Sequence, residues 1–228
     1  MKVISHNSMS LDGSFTGIAA NMELHYQAVN SFGAQVYMVG SNTTSRASIE
    51  QYGDTVPPET ASDFQKPVRD PALSYWVIPD TRGTLQGILH YHRRFEYCRD
   101  VILLVSDATP AGYIEYLQER NIDYIKTGSV HANYREAFRQ LALRYGVDTI
   151  LVDTGSRLGN VLLNEGLIDE ISLVVTPEIL AKNDRHLFEG LEQNIRLRCK
   201  KCETLPDGYI WIVYEIIKKP FSMTAGTA

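Results

Sequence analysis

The chain has 228 residues, 44% apolar and 21% charged, with 22 basic against 27 acidic side chains and a net charge of −5. Those proportions suit one folded globular domain and leave no excess of positive charge for a nucleic-acid partner. No apolar run approaches the ~18–20 residues that cross a bilayer, MKVISHNSMS is not a signal peptide, and Cys98, Cys199 and Cys202 make no disulfide framework, so a cytoplasmic protein with reduced thiols and no membrane contact is expected.

In chain order, β-rich runs recur. KVISHNS (2–8), QVYMVG (35–40), SYWVIPD (74–80), DVILLVSD (100–107), IDYIKTG (122–128), TILVD (149–153) and EISLVVTP (170–177) read as strands. Runs apolar at successive positions predict burial on both faces. RLRCKKCETL (196–205) and YIWIVYEII (209–217) flank PDG, a hairpin turn signal.

Helical patterns lie between the runs. TPAGYIEYLQERN (109–121) offers Thr109 as N-cap and Pro110 in the first turn, with Tyr113, Ile114 and Leu117 on one face. NYREAFRQLALRYG (133–146) aligns Ala137, Phe138, Leu141 and Tyr145 and ends at Gly146. LGNVLLNEG (158–166) gives a shorter helix. Strands alternating with helices predict a mainly parallel sheet covered on both faces, with an antiparallel C-terminal hairpin. Residues 51–73, rich in Pro, Asp and Thr, predict a lid or flexible insertion, and the tail after Pro220 predicts disorder.

In such sheets ligands bind beyond the carboxyl ends of the strands. DTGSRLGN (153–160) stands at one such end. Taken alone it reads as an ordinary turn at least as well as a phosphate-binding one. It is neither the dinucleotide fingerprint nor a P-loop nor a nucleophile elbow. Three more polar strand ends accompany it: NSMSLDG (7–13), VGSNTT (39–44) and LLVSD (103–107). Four such ends predict a long cleft.

Together the junctions resemble the riboflavin-biosynthesis reductase domain family, the dihydrofolate-reductase-like RibD C-terminal type. The resemblance rests on Ser10-Leu11-Asp12-Gly13, Gly40-Ser41-Asn42-Thr43, VIPDTRG (77–83) and VDTGSRLGNVLLNEGLIDE (152–170), and runs from about residue 2 to 217. It implies an α/β, three-layer dihydrofolate-reductase-like fold, a single reductase domain over 1–219 and a tail over 220–228. It implies an NADPH-dependent oxidoreductase that reduces the ribosylamino group of a phosphorylated pyrimidine to ribitylamino, and a homodimer. Site residues follow by the same resemblance. Asp12 and Asp153 stand at catalytic positions and, with Ser10, on the substrate side. Ser8, Gly40, Thr43, Thr81, Ser106, Gly155, Ser156, Arg157, Leu158, Gly159, Asn160 and Val161 stand at cofactor positions. No metal is implied.

Departures are plain. The family's Glu-Gly-Gly is Asp153-Thr154-Gly155, the basic residue after the S-L-D-G motif is Ser14, and the segment that holds the substrate phosphate has no clean counterpart. A dihydrofolate-reductase-like reductase of another small substrate, or a nucleotide-binding protein without turnover, are the alternatives. Elsewhere, CKKC (199–202) places its cysteines on opposite faces of a strand, against a zinc site. HYH (90–92) reads as a surface loop or helix rather than paired ligands. His25 either covers the nicotinamide or lies on a helix surface. Arg93-Arg94 reads as a solvated pair, with a contact to the cofactor 2′-phosphate as the sharper alternative.

Overall fold

The computed structural model describes residues 1–181 and 185–218, so the expected disorder of the 220–228 tail lies outside the described residues. The strands are β1 (Lys2–Ser10), β2 (Val36–Val39), β3 (Ser74–Pro79), β4 (Cys98–Val105), β5 (Asp123–Lys126), β6 (Thr149–Asp153), β7 (Glu170–Thr176), β8 (Leu197–Thr204) and β9 (Ile210–Ile216). They form one sheet in the order β5-β4-β3-β2-β6-β1-β7-β9-β8. Pairing is parallel from β5 through β7, and β9 and β8 add the expected antiparallel hairpin. The helices are α1 (Met22–Asn30), α2 (Arg46–Gln51), α3 (Leu89–Arg93), α4 (Ala111–Glu119), α5 (Tyr134–Tyr145) and α6 (Ser156–Asn164).

Successive side chains of a strand point to opposite faces, and this divides the core in two. Val36, Met38, Val77, Ile102, Leu104, Ile150 and Val152 pack on one face with Phe138 and Leu141 of α5 and Leu162 and Leu163 of α6. Val39, Ile78, Leu103 and Val105 pack on the other with Leu89 of α3 and Tyr113 and Leu117 of α4. The result is the three-layer architecture expected. Each fully buried aliphatic side chain contributes about 1.5–3 kcal/mol of hydrophobic stabilisation. Strand β7 is buried along its whole length. Ile171, Leu173 and Val175 meet the α6 side, while Val174 packs with Leu24 and Ala28 of α1, so this chain alone accounts for the apolar run.

Several local expectations are corrected. Pro110, not Thr109, caps α4. The Thr109 hydroxyl instead donates to Thr81 O at 3.0 Å and accepts from Ser106 N at 2.9 Å, tying the ends of β3 and β4 together. Helix α6 starts two residues before the run that suggested it, at Ser156. HYH lies within α3, but His90 and His92 are buried, bonding Pro57 O at 2.7 Å and Thr44 O at 2.8 Å. Arg93 is not solvated. It is 4% exposed, and all five of its guanidinium N–H bonds are used: two on Asp100 and three on the carbonyls of Asp63, Arg120 and Asn121. That geometry leaves nothing for a 2′-phosphate. The cysteines of CKKC share one face, because a bulge between Cys199 and Lys201 shifts the register and sets Cys199 opposite Tyr214 and Cys202 opposite Ile212. Among the described residues no group of three or more His, Cys, Asp or Glu side chains is placed to hold a metal. Residues 51–73 are pinned to the body by Glu59–Arg120 at 2.8 Å, Asp63–Arg94 at 2.5 Å and the Tyr91 hydroxyl on Asp54 at 2.5 Å.

Candidate active site

Strand β6 returns between β1 and β2, so the chain fans outward from this point on both sides. Such a reversal opens a crevice beyond the carboxyl ends of the strands. Asp153, the last residue of β6, stands there. Alternation places it on the α1 face, since Ile150 and Val152 face the other core. His25, from the first turn of α1, lies between two strands: Nε2 is 3.1 Å from Asp153 Oδ2 and Nδ1 is 3.0 Å from Ser8 Oγ. It is 5% exposed, so the helix-surface alternative does not hold. The Tyr37 hydroxyl of β2 donates to the same Oδ2. Beyond Ser8, His6 Nδ1 is 2.9 Å from Ser172 Oγ, and that hydroxyl accepts from Trp211 Nε1 at 2.9 Å. One polar line thus crosses the sheet face from β2 through β6, β1 and β7 to β9.

The electrostatics follow from this packing. Burial works to raise the Asp153 pKa, but the hydrogen bond and charge of His25 and the Tyr37 hydroxyl outweigh it, and the carboxyl sits below its ordinary value. Tyr37 is pushed far up by burial and by the adjacent carboxylate, so it stays a neutral donor. His6 is pushed down to about 3 by burial and then by His25, whose ring is 4.5 Å away. Both contacts to Asp153 fall on Oδ2, and its side chain keeps 22% exposure.

The S-L-D-G loop is built around Asp12. Ser10 Oγ donates to Oδ1 at 2.6 Å, Ser14 Oγ to Oδ2 at 2.7 Å and Leu180 N to Oδ1 at 3.2 Å. Those donors, Ser10 first, hold the Asp12 carboxyl down to about 2. Gly13 adopts φ +86°, a left-handed conformation that only glycine enters freely, and its carbonyl accepts from Leu187 N at 2.9 Å. The loop is therefore stitched to Glu178, Leu180 and Leu187, and Ser14 takes part through a β-bridge to His186.

Helix α6 begins at the end of β6. Gly155 is its N-cap and no side chain caps it, so its first amides point outward unpaired by any capping group. Arg157 is exposed beside them. Thr154 is buried, its carbonyl accepting from Asn7 Nδ2 at 3.1 Å. Asn160 is turned away from the cleft, its amide donating to the carbonyls of Leu187 and Glu189. At the other strand ends, Thr43 is exposed with its hydroxyl 4.0 Å from where a Gly40 Cβ would stand. Thr81 is half-buried, and Ser106 is buried with its hydroxyl on Val130 O at 2.9 Å. The structure therefore brings Ser8 and Asp153 together. It groups Ser10 with Asp12, and spreads the remaining candidates along the strand ends. Tyr37 and His6 complete the site, although in sequence they read only as strand residues.

The profile of the RibD C-terminal domain matches residues 1–211. The chain belongs to the RibD C-terminal domain family. No curated protein matches the sequence. Solved structures share the fold. A pyrimidine reductase-like protein from Corynebacterium diphtheriae superposes with a TM-score of 0.68 at 16% identity, over 96% of this chain and 92% of that one. The riboflavin biosynthesis reductase of Saccharomyces cerevisiae gives 0.62 at 13%, over 95% and 90%. A diaminohydroxyphosphoribosylaminopyrimidine deaminase/5-amino-6-(5-phosphoribosylamino)uracil reductase from Thermotoga maritima gives 0.61 at 17%, over 95% of this chain and 56% of that one. This RibD C-terminal chain thus spans little more than half the length of the bifunctional protein.

Proposed function

We propose that the protein is an NADPH-dependent reductase of the riboflavin-pathway type. Its substrate is then a phosphoribosylaminopyrimidine, whose ribosylamino group becomes ribitylamino. The observation that carries this reading is the uncapped N-terminus of α6, opening at Gly155 directly after the Asp153 carboxylate. Unpaired helix amides favour a pyrophosphate, and Arg157 adds positive charge. Gly155, Ser156, Arg157 and Leu158 would hold the cofactor diphosphate, with Gly40, Thr43 and Thr81 along the neighbouring strand ends. When bound, NADPH would supply a hydride to C1 of the ribosylamino group, whose bond to the ring oxygen breaks as the sugar opens. The protein's part is alignment. Asp153 and Asp12 are both held as anions, so each accepts hydrogen bonds from the substrate side rather than donating a proton. Water then supplies the proton that the opened sugar takes up. By the same resemblance the enzyme is a homodimer, which sedimentation checks.

Thermal shift tests the cofactor. NADPH at a hundred times its Kd stabilises by about 2.7 kcal/mol, roughly 5–10 °C for a chain of this size, and NADH should do less. A Cβ on Gly155 would stand 3.0 Å from Phe15 Cε2. Gly155→Val should therefore fold with a small shift of that ring but lose the NADPH shift; unchanged NADPH affinity would refute the loop assignment. Loss of NADPH absorbance on adding the phosphoribosylaminopyrimidine tests turnover. The second reading keeps the cofactor and changes the substrate. It draws on the shorter carboxylate at 153, pulled toward α1 and β2 by His25 and Tyr37. Cofactor binding without oxidation by that compound favours it.

A further inference from the structure

Three side chains of the crevice stand in file. Ser8 Oγ is 3.0 Å from His25 Nδ1, and His25 Nε2 is 3.1 Å from Asp153 Oδ2. A hydroxyl, an imidazole and a carboxylate in series can pass a proton along, the carboxylate fixing the ring and the ring serving the hydroxyl. The fold sets the direction of the file. His6 and Ser8 are two apart on β1, so both face the α1 side of the sheet. His6 is the deeper one: it is fully buried, with its ring 4.5 Å from that of His25. Ser8 lies one side-chain step nearer the carboxyl end, beyond the pairing of β1 with β6, which stops at Ser5, and it is half-buried. The imidazole is thus enclosed, and the hydroxyl is the end that opens to the crevice. Helix α1 holds the ring in place: Asn21 caps its first turn, accepting from Leu24 N at 3.1 Å, while Leu24 and Ala28 pack on Val174.

The titratable groups around His25 come from four elements. Asp153 on β6 is an anion, Tyr37 on β2 is a neutral donor to it, and His6 on β1 is neutral. Tyr26 on α1, edge-on to His25 at 5.2 Å, is kept a neutral phenol by burial and then by the Asp153 charge. A neutral imidazole beside a carboxylate carries its one proton on the nitrogen that faces it, here Nε2. A second proton then enters only at Nδ1, the nitrogen that faces Ser8. We propose that Asp153, His25 and Ser8 form a proton relay whose outlet is the Ser8 hydroxyl. Resting on the reductase reading, its recipient is the sugar ring oxygen that leaves C1. As C1 takes up hydride, the bond from C1 to that oxygen breaks and its electron pair stays on the oxygen. The oxygen takes the Ser8 hydroxyl proton, and Ser8 Oγ takes the Nδ1 proton of His25. The imidazole is left neutral, with its remaining proton on Nε2 against Asp153. Water is the ultimate source and reloads the relay from the Ser8 side. Ser8 is a catalytic residue in this scheme, and His25 a positioning residue that acts through it.

The test uses the full chain, isotope-labelled at the histidine ring nitrogens, with and without NADPH and the phosphoribosylaminopyrimidine. Without either, imidazole nitrogen NMR, assigned through His25→Gln, should show neutral His25 protonated at Nε2. Acidification should add the second proton at Nδ1, and Ser8→Ala should move the Nδ1 resonance more than that of Nε2. A neutral His25 protonated at Nδ1 overturns the proposal. In turnover, wild-type kcat should fall as rising pH removes the imidazolium. Ser8→Ala should lower kcat about 100-fold, the scale of one proton-transfer group, with KM for the compound little changed. Ser8→Thr keeps a hydroxyl and should recover most of the rate. The alkaline limb should vanish in Ser8→Ala and in His25→Gln. Circular dichroism shows that each variant is folded. Wild-type kcat in folded Ser8→Ala, or the limb retained in folded His25→Gln, also overturns the relay. Failure of the reductase reading looks different. A wild type that never oxidises NADPH with the compound overturns that reading and removes the relay's recipient with it. A wild type that turns over while Ser8→Ala is equally fast keeps the reaction and loses the relay alone.

Discussion

Acidification from pH 7.5 to 5 should destabilise this protein well before its carboxylates titrate. His6 has no exposed surface, its Nε2 has no hydrogen-bond partner, and its pKa falls from 6.5 to about 3 because of burial and then His25. His92, also buried, falls from 6.5 to about 4 through burial. Folded-state values depressed below 6.5 mean that the unfolded chain binds more protons in this range. Stability is then complete above 6.5 and drains away as pH falls toward 4 and 3. A pH of 5 lies about 1.5 units below the unfolded value of either imidazole, which costs about 2 kcal/mol each and about 4 kcal/mol together. That is a large share of the ~5–15 kcal/mol that holds a typical domain folded. Carboxylates cannot mimic the effect: the Asp12 contribution is lost only between 3.8 and about 2. Urea unfolding at pH 7.5 and pH 5 measures the loss. His6→Phe fills the same space without a titrating group, so its loss over that interval should be about half that of the wild type. A wild type equally stable at both pH values, or a His6→Phe variant that loses as much, would show that His6 does not carry the acid sensitivity.

Two further outcomes follow from the same contacts. Arg93→Met should cost about 3–5 kcal/mol, because it leaves the buried Asp100 carboxylate and three backbone carbonyls without their donor; Arg93→Met combined with Asp100→Leu should cost less than Arg93→Met alone. Urea unfolding reads both, and a loss under about 1 kcal/mol for Arg93→Met would show the pair to be dispensable. Tyr37→Phe removes a donor from the Asp153 carboxylate and so raises its pKa. The acid limb of the pH profile of NADPH oxidation should move to higher pH while the fold remains intact; an unmoved limb would separate Tyr37 from the carboxylate's role.

Much of the scaffold could be read from local pattern. Apolar runs of strand length, separated by segments of helical period, point to a mainly parallel sheet with two covered faces, because such strands need an apolar layer on each side. PDG fixes the hairpin, and Gly146, at φ +66°, ends α5 as its position implied. The S-L-D-G and G-S-R-L-G stretches announced their strand ends, since glycine and hydroxyl residues after an apolar run have few other uses. Short elements were not legible. Helix α3 has five residues and no side-chain cap, and its His90, His92 and Arg93 are polar residues that the fold buries. A charged pair such as Arg93-Arg94 looks solvated until Asp100 and three distant carbonyls arrive around it. The bulge that turns Cys199 and Cys202 to one face leaves no mark on residue spacing.

The candidate site divides along the same line. Local motifs were enough for the family, the strand ends and the presence of Asp12 and Asp153 at them, because motifs at turns record local backbone demands. What those carboxylates meet depends on the folded sheet. His25 and Tyr37 stand 128 and 116 positions before Asp153, and their meeting depends on β6 inserting between β1 and β2 while α1 lies across them. Strand order is a property of the whole sheet's packing, which no local stretch encodes, and it is what places one imidazole and one phenol on a single carboxylate oxygen.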